Sequence, residues 1–330
     1  MLGSGFPEAL LFAFCGCVRV KFCSAAVRKI EALKQACRVR SMPANAAAKA
    51  LKPAQRSLDE SLFASGDAHR LYQGDSLELL AQFDDHSFDM VFADPPYFLS
   101  NGGFTCKSGK RAAVAKGGWD VSRGIDEDHA FTSAWLEQCQ RVLKPSGTLW
   151  VSGTQHVIFN AGFAMQKLGY KLLNTITWYK PNASPNLSCR YFTHSTELLI
   201  WASPRPQKTL AHTFNYARMK ADNGGKQMRD VWNLPRTGDE EAAADGEGRL
   251  WSQIAPRREE KAHGSHPTQK PVALLERIIE ASTSEDALIL DPFNGSGTTG
   301  VAALKLGRRY VGIDMDVSYL ELSQKRLTAL

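Results

Sequence analysis

No stretch of this sequence is apolar for long enough to cross a bilayer, which sets aside a membrane-spanning helix. Paired C-x-x-C spacings are missing as well, so a zinc ribbon would have no ligands and no metal is expected. The seven cysteines are odd in number, and Cys15, Cys17, Cys23 and Cys37 crowd into the first 41 residues without neighbouring histidines. That usage fits a reducing, cytoplasmic compartment better than a disulfide framework. A basic n-region is also lacking: Glu8 stands before the first apolar stretch and the cations come after it, the reverse of a signal peptide. No internal repeat is visible.

An excess of either sign of charge is lacking outside the N-terminus. The net charge is +6, but Arg19, Lys21, Arg28, Lys29, Lys34, Arg38 and Arg40 face only Glu8 and Glu31 within residues 1–41. That segment carries +5 and leaves +1 for the rest, so any basic surface must be local. Residues 1–41 differ in character from the remainder of the chain, and Met42 opens "MPANAAAKALKPAQ", typical of a flexible N-terminus. Translation is expected to start at Met42, with residues 1–67 forming an extension. At 330 residues, 43% hydrophobic and 22% charged, the chain can bury the core of one large or two smaller α/β domains.

From residue 70 strands and helices alternate. "RLYQGD" ends a strand on Asp75, "SLELLAQF" has helical spacing, and "SFDMVFAD" is a strand. Residues 98–124, rich in Gly, Lys and Ser, read as a long mobile loop. "AFTSAWLEQCQRVL" is an amphipathic helix stopped by "KPSG". Then come the strand "TLWVSG", a helix, and the strands "LLNTITWYK" and "ELLIWAS", in which Trp178 and Trp201 read as packing. Residues 203–262 break the rhythm and form an insertion or a recognition element. The helix "KPVALLERIIEAS", the strand "ALILD", a Gly-rich turn with its helix, the strand "RYVGID" and a last helix complete a doubly wound, mostly parallel α/β sheet.

Two turns carry chemistry. In "VFADPPYFLS" a buried strand stops against Pro95 and Pro96, which donate no N–H and disfavour helix before them. Asp94 and Tyr97 are therefore held on a stiff, extended turn. In "DPFNGSGTTG", Gly295, Gly297 and Gly300 fit G-x-G-x-x-G, and Asp314 ends the next strand 23 residues after Asp291. That pattern suits an adenosine-containing cofactor, a nicotinamide dinucleotide included. Asp291 at the strand tip would repel a pyrophosphate and welcome a cation such as the sulfonium and ammonium of S-adenosylmethionine. Asp75, Asp94, Asp291 and Asp314 each end a predicted strand, so all four should face one crevice.

These motifs resemble the S-adenosylmethionine-dependent amino DNA methyltransferases, which methylate adenine N6 or cytosine N4. DPPY (94–97) precedes the Gly-rich motif (293–297), with "HPTQKP" (266–271) just before the latter, an order similar to the permuted β class. The resemblance covers residues 68–330 and implies a Rossmann-like methyltransferase fold with a target-recognition insertion at 203–262. "DPPYFLSNGG", "KGGWD", "NLSCRYFTHSTE" and "HPTQKP" are especially similar to adenine methylases of GATC-type restriction–modification systems. "TGDEEAAADGEG" departs from them as an acidic addition.

The resemblance implies that Asp94 and the Pro95 carbonyl accept hydrogen bonds from the target amino group, with Pro96 stiffening the turn. Tyr97 would stack on a base extruded from the duplex. Asp291, Pro292, Phe293, Gly295, Gly297 and Thr298 would line the methionine and sulfonium side of the cofactor. Asp314 would hold the ribose, Asp75 the adenine edge, and Thr268 with Lys270 the methionine carboxylate; His266 reads as structural. For DNA, Lys107, Lys110, Arg111 and Lys116 with Trp119 fit a phosphate-binding loop, and Arg190, Tyr191 and His194 fit base or phosphate contacts, while Phe192 reads as core. Expected partners are double-stranded or single-stranded DNA, with a homodimer and a cognate restriction endonuclease as further associations. Asp at the first position of DPPY leans to adenine over cytosine; an NAD-dependent oxidoreductase is the remote alternative. A catalytically dead regulator would need a broken motif, and both are intact.

Overall fold

A computed structural model of the chain describes residues 56–100, 104–107, 110–113, 120–180, 183, 185–205, 211–233, 256, 258–264 and 266–330. Every described residue belongs to one compact unit, Gln55–Leu330. The Met42 start lies outside the described residues. The unit begins before the expected boundary at residue 68: helix α1 (Leu58–Ser61), fixed by a Ser57–Glu60 capping box, leads into β1 (Leu62–Ser65), which pairs antiparallel with β2 (His69–Gln73).

After β2 the order is α2 (Ser76–Leu80), β3 (Phe88–Ala93), β4 (Phe104–Lys107), β5 (Lys110–Ala113), α3 (Ile125–Val142), β6 (Leu143–Gly153), α4 (Ile158–Lys167), β7 (Lys171–Tyr179) and β8 (Thr196–Ser203). Next come α5 (Tyr216–Asp222), β9 (Val231–Asn233), a 3-10 turn (Glu259–Lys261), α6 (Val272–Ser282), β10 (Leu288–Asp291), α7 (Thr298–Lys305), β11 (Arg309–Asp314) and α8 (Val317–Thr328). Among the described residues nine strands form one sheet in the order β1-β2-β11-β10-β3-β6-β8-β7-β9. Strands β2, β11, β10, β3 and β6 run parallel; β8 is antiparallel to both β6 and β7.

Strand pleat sends alternate residues of β3 to opposite faces. Val91 and Ala93 join Trp135, Leu136 and Met165 of α3 and α4, whereas Met90 and Phe92 join Leu275, Ile278, Ala302 and Leu320 of α6, α7 and α8. Each fully buried Val, Leu, Ile, Phe or Met side chain among them contributes about 1.5–3 kcal/mol. Helix α3 shows why the sequence periodicity works: Asp128, Thr132, Trp135, Leu136, Cys139 and Val142 form its buried stripe, and Asp126, Glu127 and Asp128 favour its N-terminus.

Three segments differ from the expectation. Residues 98–124 are not wholly irregular, because β4 and β5 pair as an antiparallel hairpin. The "KPSG" stop lies inside β6, where a register shift opposite Phe88 and Met90 absorbs Pro145. Within 203–262, β9 adds to the nine-stranded sheet beside β7, and Trp232 packs against Trp150 at 6.0 Å. "TGDEEAAADGEG" lies outside the described residues. Among the described residues no helix is long and apolar enough to cross a membrane.

Candidate active site

The chain turns in opposite directions from β3 and β10, which are neighbours: β3 leads through α3 to β6 on one side, β10 through α7 to β11 on the other. This is the switch point where open α/β sheets bind ligands, beyond the carboxyl ends of the strands. A cavity of about 480 Å³ opens there. Asp75, Asp94, Asp291 and Asp314 all line it, and the two sequence motifs meet across it.

Asp94, Pro95, Pro96 and Tyr97 form one wall. The Tyr97 hydroxyl donates to Asp94 Oδ1 at 2.7 Å and lies 3.2 Å from Ser152 Oγ. Burial, then the charges of Asp94 and Glu197, push the phenol well above its usual range, so it stays a donor. Lys270 Nζ donates to Asp94 Oδ2 at 2.5 Å and to Tyr97 Oη at 3.2 Å. Behind it, Glu197 Oε2 is 3.9 Å from Lys270 and Glu197 Oε1 pairs with Lys180. Burial pulls the Lys270 ammonium down, but Asp94 and Glu197 outweigh it and leave its pKa raised.

Two of the expected site residues are joined in this network. The Lys270 ammonium, 9% exposed, pairs with Asp94 at the cavity wall. Tyr97, read as a stacking platform, is only 6% exposed, and its hydroxyl is tied into this network. The turn itself is held from below by Asp120, fully buried, whose carboxylate accepts from the N–H of Tyr97 at 2.8 Å and of Leu99 at 3.3 Å and from Ser100 Oγ at 2.8 Å.

The opposite wall is the Gly-rich turn. Gly295 (φ 49°) and Gly297 (φ 70°) take left-handed backbone conformations that only glycine enters freely. Gly297 caps α7, beneath the cavity lining, where a Cβ would lie 2.6 Å from Ser323 Oγ. Asp291 accepts from Phe293 N at 3.0 Å and Thr299 Oγ1 at 2.6 Å; Asp314 accepts from Gly295 N at 2.8 Å. Burial pushes Asp291 up to about 7 and Asp314 up to about 6, with hydrogen bonds working against the shift. Phe293 packs edge-on against Trp135 at 5.5 Å. Pro292, Thr298 and Thr268 line the cavity with other commitments: the Pro292 carbonyl accepts from Ser76 Oγ, Thr298 Oγ1 from Arg326, and Thr268 N–H donates to His266. Asp75 lines it while capping α2 through Leu77 N and Glu78 N.

The DNA-contact expectations are less connected. Lys107, Lys110 and Arg111 sit on β4 and β5, with side chains outside the described set, and Lys116 and Trp119 lie outside the described residues. Arg190, Tyr191 and His194 are exposed; Phe192, expected in the core, is 96% exposed. Trp178 and Trp201 are buried.

Several residues here carry no sequence signal strong enough to single them out. Asp120 ends the quoted stretch "KGGWD" and Glu197 ends "NLSCRYFTHSTE", which is the available hint. Arg326, Ser323 and Tyr310 support the Gly-rich turn from distant elements: Arg326 donates to the Ser296 carbonyl at 2.6 Å, and Asn294 of the turn itself bridges Tyr310 and Ser323.

Comparison with known proteins agrees with this geometry. A family model described as DNA methylase, of N6 and N4 type, matches residues 88–325. The chain is 49% identical over 257 residues to the Type II methyltransferase M2.LlaDCHI of Lactococcus lactis subsp. cremoris, covering 78% of this chain and 88% of that protein. It is 49% identical over 259 residues to the Type II methyltransferase M2.DpnII of Streptococcus pneumoniae, covering 78% and 89%. Among solved structures, the PvuII DNA methyltransferase (cytosine-N4-specific) superposes with a TM-score of 0.58 at 21% identity, covering 79% of this chain and 87% of that one, a likeness of fold.

Proposed function

Because the chain belongs to the N6/N4 DNA methylase family and is a DNA methyltransferase, we propose that it transfers the methyl group of S-adenosylmethionine to N6 of an adenine flipped out of DNA at a GATC-type site. The observation that carries this reading is the meeting of Asp94 and Asp291 across one cavity at the switch point. The cavity fits the cofactor: its acid-rich Gly turn suits a cation, and left-handed Gly295 lets backbone approach a ligand closely. When bound, the cofactor supplies an electrophilic methyl on sulfonium sulfur.

An exocyclic amine on a purine is a poor nucleophile because its lone pair is delocalised into the ring. Asp94 and the Pro95 carbonyl, accepting its two protons, favour a pyramidal nitrogen whose lone pair attacks the methyl carbon. The cofactor would supply the methyl and keep the electron pair of the bond it gives up, while Asp94 and the Pro95 carbonyl would hold the amine in line and the proton shed by the methylated nitrogen would pass to solvent. Tyr97 and Lys270 occupy one position on each Asp94 oxygen, and a carboxylate oxygen accepts more than one hydrogen bond. They therefore aim the carboxylate and leave it capacity for the substrate. Positioning and electrostatics carry the rate. Asp291, Phe293 and Gly295 would hold the methionine side, Asp314 the ribose, and Thr268 with Lys270 the carboxylate end. DNA duplex or single strand is the substrate in this reading, the cytoplasm the compartment. Likeness to Type II methyltransferases supports a companion restriction endonuclease, and assembly as a homodimer belongs to the same proposal.

Nucleosides from DNA treated with purified protein and S-adenosylmethionine should contain 6-methyladenine by mass spectrometry; 4-methylcytosine alone would overturn the choice of base. Cofactor affinity should also depend on pH. Asp291 and Asp314 are raised to about 7 and about 6, so below that window Asp291 is neutral and offers the cation little, and Asp314 accepts from the ribose hydroxyls less strongly. Titration calorimetry should show affinity rising by about tenfold between about pH 5.5 and about pH 8. The sign for the unliganded protein is opposite. Its folded state keeps protons that the unfolded chain has already lost, so these two groups cost stability as pH rises from about 4 to about 7.

A further inference from the structure

The connection between β7 and β8 presents Phe192 with 96% of its surface exposed, a placement that sequence pattern did not anticipate. The segment around it is shaped by hydrogen bonds. Asn186 Oδ1 accepts from Ser188 N at 3.0 Å and Ser188 Oγ at 2.7 Å, and Asn186 Nδ2 donates to the Tyr191 carbonyl at 2.7 Å. Cys189 takes a left-handed turn at φ 52°, and Lys180 N–H closes the loop on the Ser195 carbonyl at 2.7 Å. These bonds shape the described backbone on either side of Phe192, whose ring stands in solvent.

That segment stands beside the chemistry. β7 and β6 are both antiparallel to β8, so their carboxyl ends share the edge on which Asp94 follows β3. His194 Nε2 lies 3.4 Å from the side-chain nitrogen of Gln155, just beyond β6, and Glu197 at the start of β8 reaches Lys270 at 3.9 Å. Exposed Arg190 and His194 flank the ring with groups suited to phosphates. Tyr97, the aromatic residue of the catalytic turn, is buried.

We propose that Phe192 is a wedge: it enters the base stack of substrate DNA and fills the gap that the extruded target base leaves. Extrusion exposes the faces of two neighbouring bases to water, and an apolar ring inserted between them replaces the lost stacking. The proposal rests on the reading that the target base is flipped, and its test separates the two.

Phe192→Ala and Phe192→Trp are compared with wild type on two duplexes containing the recognised site, one fully paired, the other with an abasic position opposite the target base. On the paired duplex, Phe192→Ala should lower kcat/KM by about tenfold or more and reduce the fluorescence rise of 2-aminopurine at the target position. On the abasic duplex, where the base is already unpaired, it should stay within about twofold of wild type, and Phe192→Trp should recover most of the paired-duplex rate. An unchanged rate on the paired duplex, or equal losses on both, overturns the wedge while leaving flipping intact. A wild-type protein that gives no 2-aminopurine signal overturns flipping and the wedge together.

Discussion

Replacing Asp94 with asparagine is expected to lower kcat for methyl transfer by about 100- to 1,000-fold, the usual effect of removing one preorganised electrostatic partner. The Kd for S-adenosylmethionine should stay within about threefold. Asparagine keeps the volume but turns one acceptor into an N–H2 donor, and in either orientation that donor meets Lys270 Nζ or the Tyr97 hydroxyl. The substrate amine loses an acceptor, and Lys270 is left with Glu197 at 3.9 Å as its remaining described anion within reach. Leaving one member of a buried pair alone costs about 3–5 kcal/mol. A loss of folding is separated from a loss of chemistry by adding Lys270→Met, which removes the orphaned charge. The double variant should regain thermal stability over Asp94→Asn alone and remain inactive in single-turnover assays. Undiminished turnover by either would refute the role given to Asp94.

Gly300→Ala should cost about 1–3 kcal/mol of stability without touching a ligand, the range for overpacking a filled core. A Cβ at this position would stand 2.6 Å from ring atoms of Tyr310 and 3.0 Å from Leu327. Tyr310 cannot swing aside cheaply. Its ring is 1% exposed and its hydroxyl donates to Asn294 Oδ1 at 2.8 Å, beneath the Gly-rich turn. For a unit of this size the cost corresponds to a Tm lower by about 2–4 °C per kcal/mol, measurable by calorimetry. The displacement should also reach the cofactor side, since Asn294 and Ser323 brace Gly295. A Tm within about one degree of wild type would show that the helix–strand contact can relax.

Much of this fold is legible in the sequence because its strands are short apolar runs ended by turn residues. β3, β10 and β11 stop where Asp94, Asp291 and Asp314 are expected to stop them. The hidden features depend on pairings distant along the chain. In the β4–β5 hairpin, β4 alternates for only four residues and β5 does not alternate, so the pair is too short to announce itself. Phe192 resembles core since phenylalanine usually is, yet its turn is set by Asn186 and Cys189 rather than by hydrophobic pattern. Asp75 illustrates a double duty that sequence cannot separate: the carboxylate that faces the cavity is the one that caps α2.

By itself, then, the sequence determined the chemistry's parts: a proline-stiffened Asp-Pro-Pro-Tyr turn, a Gly-rich turn with its acids, and the alternation that lays both at the carboxyl ends of parallel strands. Those features are local, written in backbone restriction and period. Only the tertiary structure decided their pairing: that β3 lies beside β10, that Lys270 serves Asp94, and that Phe192 stands free beside them. A buried charge takes whichever opposite charge the fold brings nearest, and nearness across 176 residues is not a property of any local pattern.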